Sequence, residues 1–98
     1  MLFQAQFSLL PHVVMQKVKE DAMAWERECR ENRPTFKILG RFGYYGARSG
    51  FYLIRADSVD EFYPMLKWFN EVFLWDVKPI HQLEDYYPKN WGGGSDEE

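Results

Sequence analysis

Residues 2 to 9, LFQAQFSL, alternate: Phe3, Ala5, Phe7 and Leu9 share one parity, and Gln4, Gln6 and Ser8 the other. That period of two predicts a strand with one dry face, stopped by Pro11. From residue 12 to residue 32 the spacing turns helical, with Val14, Val18, Ala22, Trp25 and Cys29 in one stripe and most charges outside it. Arg33-Pro34 ends the helix, because a residue before proline is pushed out of helical geometry. Residues 36 to 44 predict a second strand with Phe36, Ile38, Gly40 and Phe42 opposite Lys37, Leu39 and Arg41. Gly46 and Gly50 then bracket a turn, so this strand and the next are expected to form a hairpin. Ser58 and Glu61 match a capping box that opens a second helix, with Val59, Phe62, Leu66, Phe69 and Phe73 inward and Pro64 delaying or kinking it. A last strand over residues 74–83 sets Trp75, Val77 and His81 against Asp76, Lys78 and Ile80. Pro79 assigns that strand to an edge or a bulge.

The third strand, SGFYLIRAD at residues 49–57, breaks the alternation, since Phe51, Tyr52, Leu53 and Ile54 run together. Successive strand side chains point to opposite faces, so both sides of this segment want cover. The element order βαββαβ predicts an α+β, ferredoxin-like sandwich: a four-stranded antiparallel sheet with both helices on one face. The helix side would carry Phe3, Ala5, Phe7, Phe36, Ile38, Phe42, Trp75 and Val77. The open side would carry Gln4, Gln6, Lys37, Leu39, Arg41, Asp76, Lys78 and Ile80, plus one parity of strand three. An apolar middle with amides and cations around it fits a second copy of the sheet, a single-stranded RNA, or water.

Resemblance narrows these choices. In length, in the opening MLF and in element order, the chain resembles the muconolactone isomerase-like branch of the dimeric α/β-barrel proteins. GYYGARSGFYLIRADSVDEF, residues 43–62, is similar to that branch's hairpin, third strand and entry to the second helix. WDVKPI, residues 75–80, is similar to the last strand of small members of the superfamily. The resemblance spans about residues 1–85 and implies sheets paired into a homodimeric or larger barrel. It also implies an aromatic or carboxylated small-molecule ligand and, if the protein is an enzyme, an isomerase, lyase or cofactor-independent oxygenase; the alternative is a non-catalytic oligomeric binding or regulatory module of the same architecture. Gly46 is followed by Ala47 and Arg48 where the isomerase has His-Tyr, so no catalytic residue is matched.

Composition adds three constraints. Eighteen per cent of the 98 residues are aromatic, more than a small core usually hides, so surplus rings are expected at an interface or pocket. A net charge of −3 counts against nucleic acid and anionic lipid as general partners, while leaving room for a local basic patch. Cys29 is the only cysteine, which rules out an intrachain disulfide and a CxxC metal site and fits a reduced, cytoplasmic compartment. With two histidines, no zinc set is expected, and no cofactor fingerprint is present. The start lacks the basic stretch and cleavage site of a signal peptide, and no run reaches the roughly 20 apolar residues of a membrane helix, so a soluble protein is expected. The folded domain is expected over residues 1–88, followed by an acidic, glycine-rich flexible tail at 89–98.

The candidate chemistry is sparse. His81 is the candidate proton carrier, with Glu84 and Asp85 close behind; a surface or interface histidine beside a solvated acidic turn is the simpler account. Arg41 and Arg55, on the hairpin strands, could aim their guanidinium forks at one carboxylate or phosphate. Tyr44, Tyr45 and Tyr52 would supply hydroxyls and Trp75 a pocket wall; cross-strand pairing of the arginines with Asp76 or a partner's acids is the rival account. Cys29 is expected to be a buried, inert thiol, His12 a residue of the helix entry, and Trp25 and Trp68 core or wall residues; Trp91 docks or stays loose. Arg48, Gly50 and Phe51 echo the third strand of RNA-recognition domains, but Leu53 stands where a second ring would stack.

Overall fold

A computed structural model of the chain describes residues 1–83. The end of the expected domain, its acidic tail, Glu84, Asp85 and Trp91 lie outside the described residues. Strand β1 (Leu2–Leu9) leads through a short loop to helix α1 (Met15–Asn32), and β2 (Lys37–Gly43) and β3 (Ser49–Arg55) form a hairpin. A 3-10 turn (Val59–Phe62) runs straight into α2 (Tyr63–Trp68), and β4 (Phe73–Ile80) follows. All neighbouring strands pair antiparallel, in the order β2-β3-β1-β4. The protein is thus an α+β fold of the ferredoxin-like kind. Pro79 sits on edge strand β4, where a missing ladder N–H is tolerated.

One face of the sheet carries the core. Phe3 and Ala5 of β1, Tyr52 and Ile54 of β3 and Phe73 of β4 are buried against Trp25 and Cys29 of α1 and Phe62, Met65 and Phe69 of the second helical segment. The packing is largely aromatic: Phe3 meets Phe62 edge-on at 4.9 Å, Phe36 meets Phe62 at 5.0 Å, and Trp25 lies 5.3 Å from Trp68. Among the described residues no helix lies against the other face. Strand three resolves its own ambiguity here: Tyr52 and Ile54 point to the helices, while Phe51, Leu53 and Arg55 point away.

Two helix boundaries differ from the sequence pattern. His12 adopts a left-handed backbone (φ 68°), so helix α1 starts only at Met15 and Val14 is exposed rather than part of the buried stripe. The tight entry is held from outside: the Arg48 guanidinium donates to the carbonyls of Leu10 (3.3 Å) and Val13 (3.0 Å). At the second helix Pro64 falls in the first α-turn because the residues before it form a separate 3-10 turn; Val59 is left exposed, and Phe73 opens β4. Gly50, expected in the turn, lies inside β3 opposite both Gly43 and Phe7. The turn itself needs Gly46, whose φ of 71° suits a residue without a Cβ.

Glu61 ties the second helix to the rest. Its carboxylate accepts from the Thr35 hydroxyl (2.7 Å) and from the backbone N–H groups of Asp57 (2.6 Å) and Ser58 (3.3 Å). The Thr35 bond first, then the two backbone donors, hold its carboxyl below the ordinary value of 4.5. A depressed folded-state value stabilises the protein above the unfolded pKa, and that stabilisation is lost as pH falls through the folded one. Glu61→Gln should therefore lose more stability in urea titrations near about pH 7 than near about pH 3, where the wild-type carboxyl is also protonated. An equal loss at both would show that the charge contributes nothing.

Candidate functional site

The decisive local feature is in edge strand β2. Lys37 pairs with Arg55 and Ile38 with Ile54, but Gly40 then pairs with Leu53, so Leu39 is an extra residue between them. A bulge of one residue reverses the facing of everything beyond it. Arg41 therefore stands opposite Tyr52 on the helix side, and Phe42 stands opposite Phe51 on the open side. The strict alternation expected for residues 36–44 is corrected at these two positions. Arg41 leaves the open face and Phe42 leaves the helix face.

On the helix side Arg41 reaches Glu26 of α1 at 2.6 Å. The two belong to a cleft of about 690 Å³ between the C-terminal half of α1 and the start of β2. Its walls include Arg30 from α1, Arg33 at the end of that helix, and Lys37 and Arg41 from β2, with Glu26 as the one carboxylate among the described residues. Phe36 and Ile38 form apolar lining, and the exposed Leu39 of the bulge borders it. Arg33 lies over the Trp25 ring at 5.4 Å and 3.5 Å from Glu28. Arg30 and Lys37 have no ion-pair partner among the described residues. A chain of net charge −3 thus gathers three arginines around one depression, with Lys37 at its border.

Two weak acids lie beside the cleft. Burial pushes the Cys29 thiol up to about 11, with Arg33 opposing, and pushes the Tyr52 phenol up to about 12, where Glu26 adds and Arg41 opposes. Both are neutral near pH 7, so Cys29 is not a thiolate nucleophile. The cationic cleft residues can hold an oxyanion.

The residues expected to converge do not form one site. Arg41, Tyr52 and Trp75 share the helix side, with Tyr52 and Trp75 edge-on at 5.8 Å. Arg55 lies on the opposite face beside Lys37, so the two arginines cannot grip one group. Tyr44 is near Phe51 (6.1 Å) at the open face, and Tyr45 is fully exposed at the hairpin tip. His81 is exposed just past β4, about 20 Å along the strand from Trp75 at roughly 3.3 Å per residue. Sequence reasoning missed Glu26, Arg30, Arg33 and Lys37 as cleft residues. The available signal was their spacing, since 26, 30 and 33 fall on one helix face.

The open face reads in rows across the strands. Leu53 pairs with Gln4 and Gly40, and Phe51 with Gln6 and Phe42, the Phe42 and Phe51 rings stacking at 4.9 Å. Leu2 and Ile80 pair beside Arg55 and Lys37 at one end, and Lys78 lies 3.3 Å from Asp76 on the far edge.

Fold and site together define a small ferredoxin-like α+β protein with a basic cleft on one edge and a partly aromatic sheet face that no helix covers among the described residues. No protein-family model matches the chain, and no curated protein matches it. Among the described residues no helix is long and apolar enough to cross a membrane.

Proposed function

We propose that the protein is a homodimeric α/β barrel of the kind the muconolactone isomerase-like branch forms, built by packing two open sheet faces together, and that it binds a small carboxylated or aromatic molecule. The observation that carries the dimer is the open face itself: Leu53 and Phe51 on inner strand β3, Phe42 stacked on Phe51 from edge strand β2, Gln4 and Gln6 beside them on β1, and the charged pair Asp76 and Lys78 on the far edge. Apolar centres with polar rims are the anatomy of protein interfaces. Four strands spaced about 4.8 Å and about eight residues long cover roughly 500 Å² in plan. With side-chain relief that approaches the ~800 Å² per partner of a standard interface. The amides of Gln4 and Gln6 would then find acceptors and donors on the twin sheet. The site chemistry favours recognition over catalysis, because Cys29 and Tyr52 are held protonated and Glu26 is engaged by Arg41. An isomerase, lyase or oxygenase role is supported by the resemblance alone.

Light scattering on a sizing column should give twice the 11.8 kDa of one chain at tens of micromolar. Leu53→Arg places two like charges at the centre of the pair, and should return a single-chain mass with an unchanged far-UV spectrum. A wild-type monomer, or an undisturbed mass for the variant, removes the barrel. The stacked Phe42 and Phe51 rings favour one rival, a single-stranded RNA lying across the sheet. Saturable binding of oligouridine that Phe51→Ala abolishes would replace the dimer with that reading.

A further inference from the structure

We propose that the cleft between α1 and β2 is the small-molecule site, that its ligands carry two oxyanion groups, and that the ligand takes Arg41 away from Glu26. This deepens the ligand half of the proposed function and does not depend on the dimer half. The cleft volume of about 690 Å³ lies within the range of small-ligand pockets. Its charge is one-sided: Arg30, Arg33 and Arg41 line a depression in which Glu26 is the only acid among the described residues. The bulge at Leu39 is what turns Arg41 into it, and bulges commonly re-aim a side chain beside a site.

Glu26 already occupies the place a ligand would take. Its carboxylate meets Arg41 at 2.6 Å and serves as an internal stand-in for an oxyanion on a guanidinium. The Arg41 side chain is half-exposed while the Glu26 side chain is mostly covered, so a competing anion reaches the pair from the guanidinium side. One anionic group on Arg41 leaves Arg30 and Arg33 for a second. Phe36, Ile38 and Leu39 offer apolar surface for the carbon frame between the two groups. Carboxylates and phosphates share this chemistry, and the two probes below separate them. The cleft is open on the edge strand, so no further strand covers it among the described residues.

Isothermal titration of the full chain at about 20 mM ionic strength, where surface electrostatics are least screened, tests this with phthalate and with pyrophosphate. At least one should saturate with a Kd below about 1 mM. Arg41→Ala should weaken it about tenfold or more, as expected for loss of a charge-assisted fork. Glu26→Gln should tighten it several-fold, because the competitor for Arg41 is gone. Arg55→Ala, on the opposite face, should leave it unchanged. Phthalate alone assigns a dicarboxylate site, and pyrophosphate alone a phosphate site. No saturation by either probe overturns the proposal, as does equal weakening by Arg55→Ala and Arg41→Ala, which would mean diffuse attraction. Glu26→Gln binding no tighter than wild type overturns the exchange of partners. Light scattering on the same samples keeps the two halves apart: a binding monomer sinks the barrel only, and a dimer that binds neither probe sinks the cleft only.

Discussion

Gly50→Ala is expected to destabilise the protein by about 3 kcal/mol or more, read as a lowered midpoint in urea unfolding, although it adds one methyl group. Gly50 lies in β3 with a neighbour on each side, Gly43 of β2 and Phe7 of β1. A Cβ there would stand 2.0 Å from the Phe42 carbonyl oxygen, 2.8 Å from the tip of the Phe7 ring and 2.9 Å from the Gly43 Cα. The Phe7 ring can swing, but the carbonyl and the Cα are backbone within a paired ladder. Relief requires opening the β2–β3 ladder, and overpacking that must move backbone lies at the costly end of its range. Gly43→Ala is the control, since nothing lies within 4 Å of its added Cβ. It should cost less than about 1 kcal/mol. Equal midpoints for the two variants would mean that β2 and β3 do not approach as closely as described.

Trp25→Ala is expected to cost about 3–5 kcal/mol, a large part of the roughly 5–15 kcal/mol that holds a small domain folded. The indole is fully buried and packs against Phe36 (5.7 Å), Trp68 (5.3 Å) and Phe69 (6.4 Å), joining α1, the start of β2 and the end of α2. Removing it leaves a void among rings that cannot collapse, because each is fixed by its own element. The melting temperature should fall by roughly 15 °C or more. Trp25→Phe should cost much less. It keeps a ring in place and also removes an indole N–H that is buried without an acceptor among the described residues. A drop of only a few degrees for Trp25→Ala would show that the aromatic cluster is not the centre of the core.

The order of elements was legible because each segment carries its own period. Phe3, Ala5 and Phe7 alternate in β1, and Val18, Ala22, Trp25 and Cys29 recur at helical spacing in α1; the structure uses all of them inward. The capping pair Ser58 and Glu61 was equally local, and Glu61 does accept from the Ser58 N–H. The site was far less legible. Arg41 stands out in the sequence for its guanidinium, but unbroken alternation groups it with Arg55, from which the bulge separates it. Gly40, an isolated glycine in a strand pattern, was the only local hint of the bulge that separates them.

Sequence alone determined what nearest-neighbour physics can decide: which segments are strands and helices, their antiparallel order, and a core dominated by rings. Tertiary structure decided the rest. An extra residue at Leu39 is accommodated only when β2 pairs with β3, and that one-residue shift sends Arg41 to Glu26 and Phe42 to Phe51. Periodicity describes a strand by itself, whereas the facing of its side chains depends on register with a partner far along the chain.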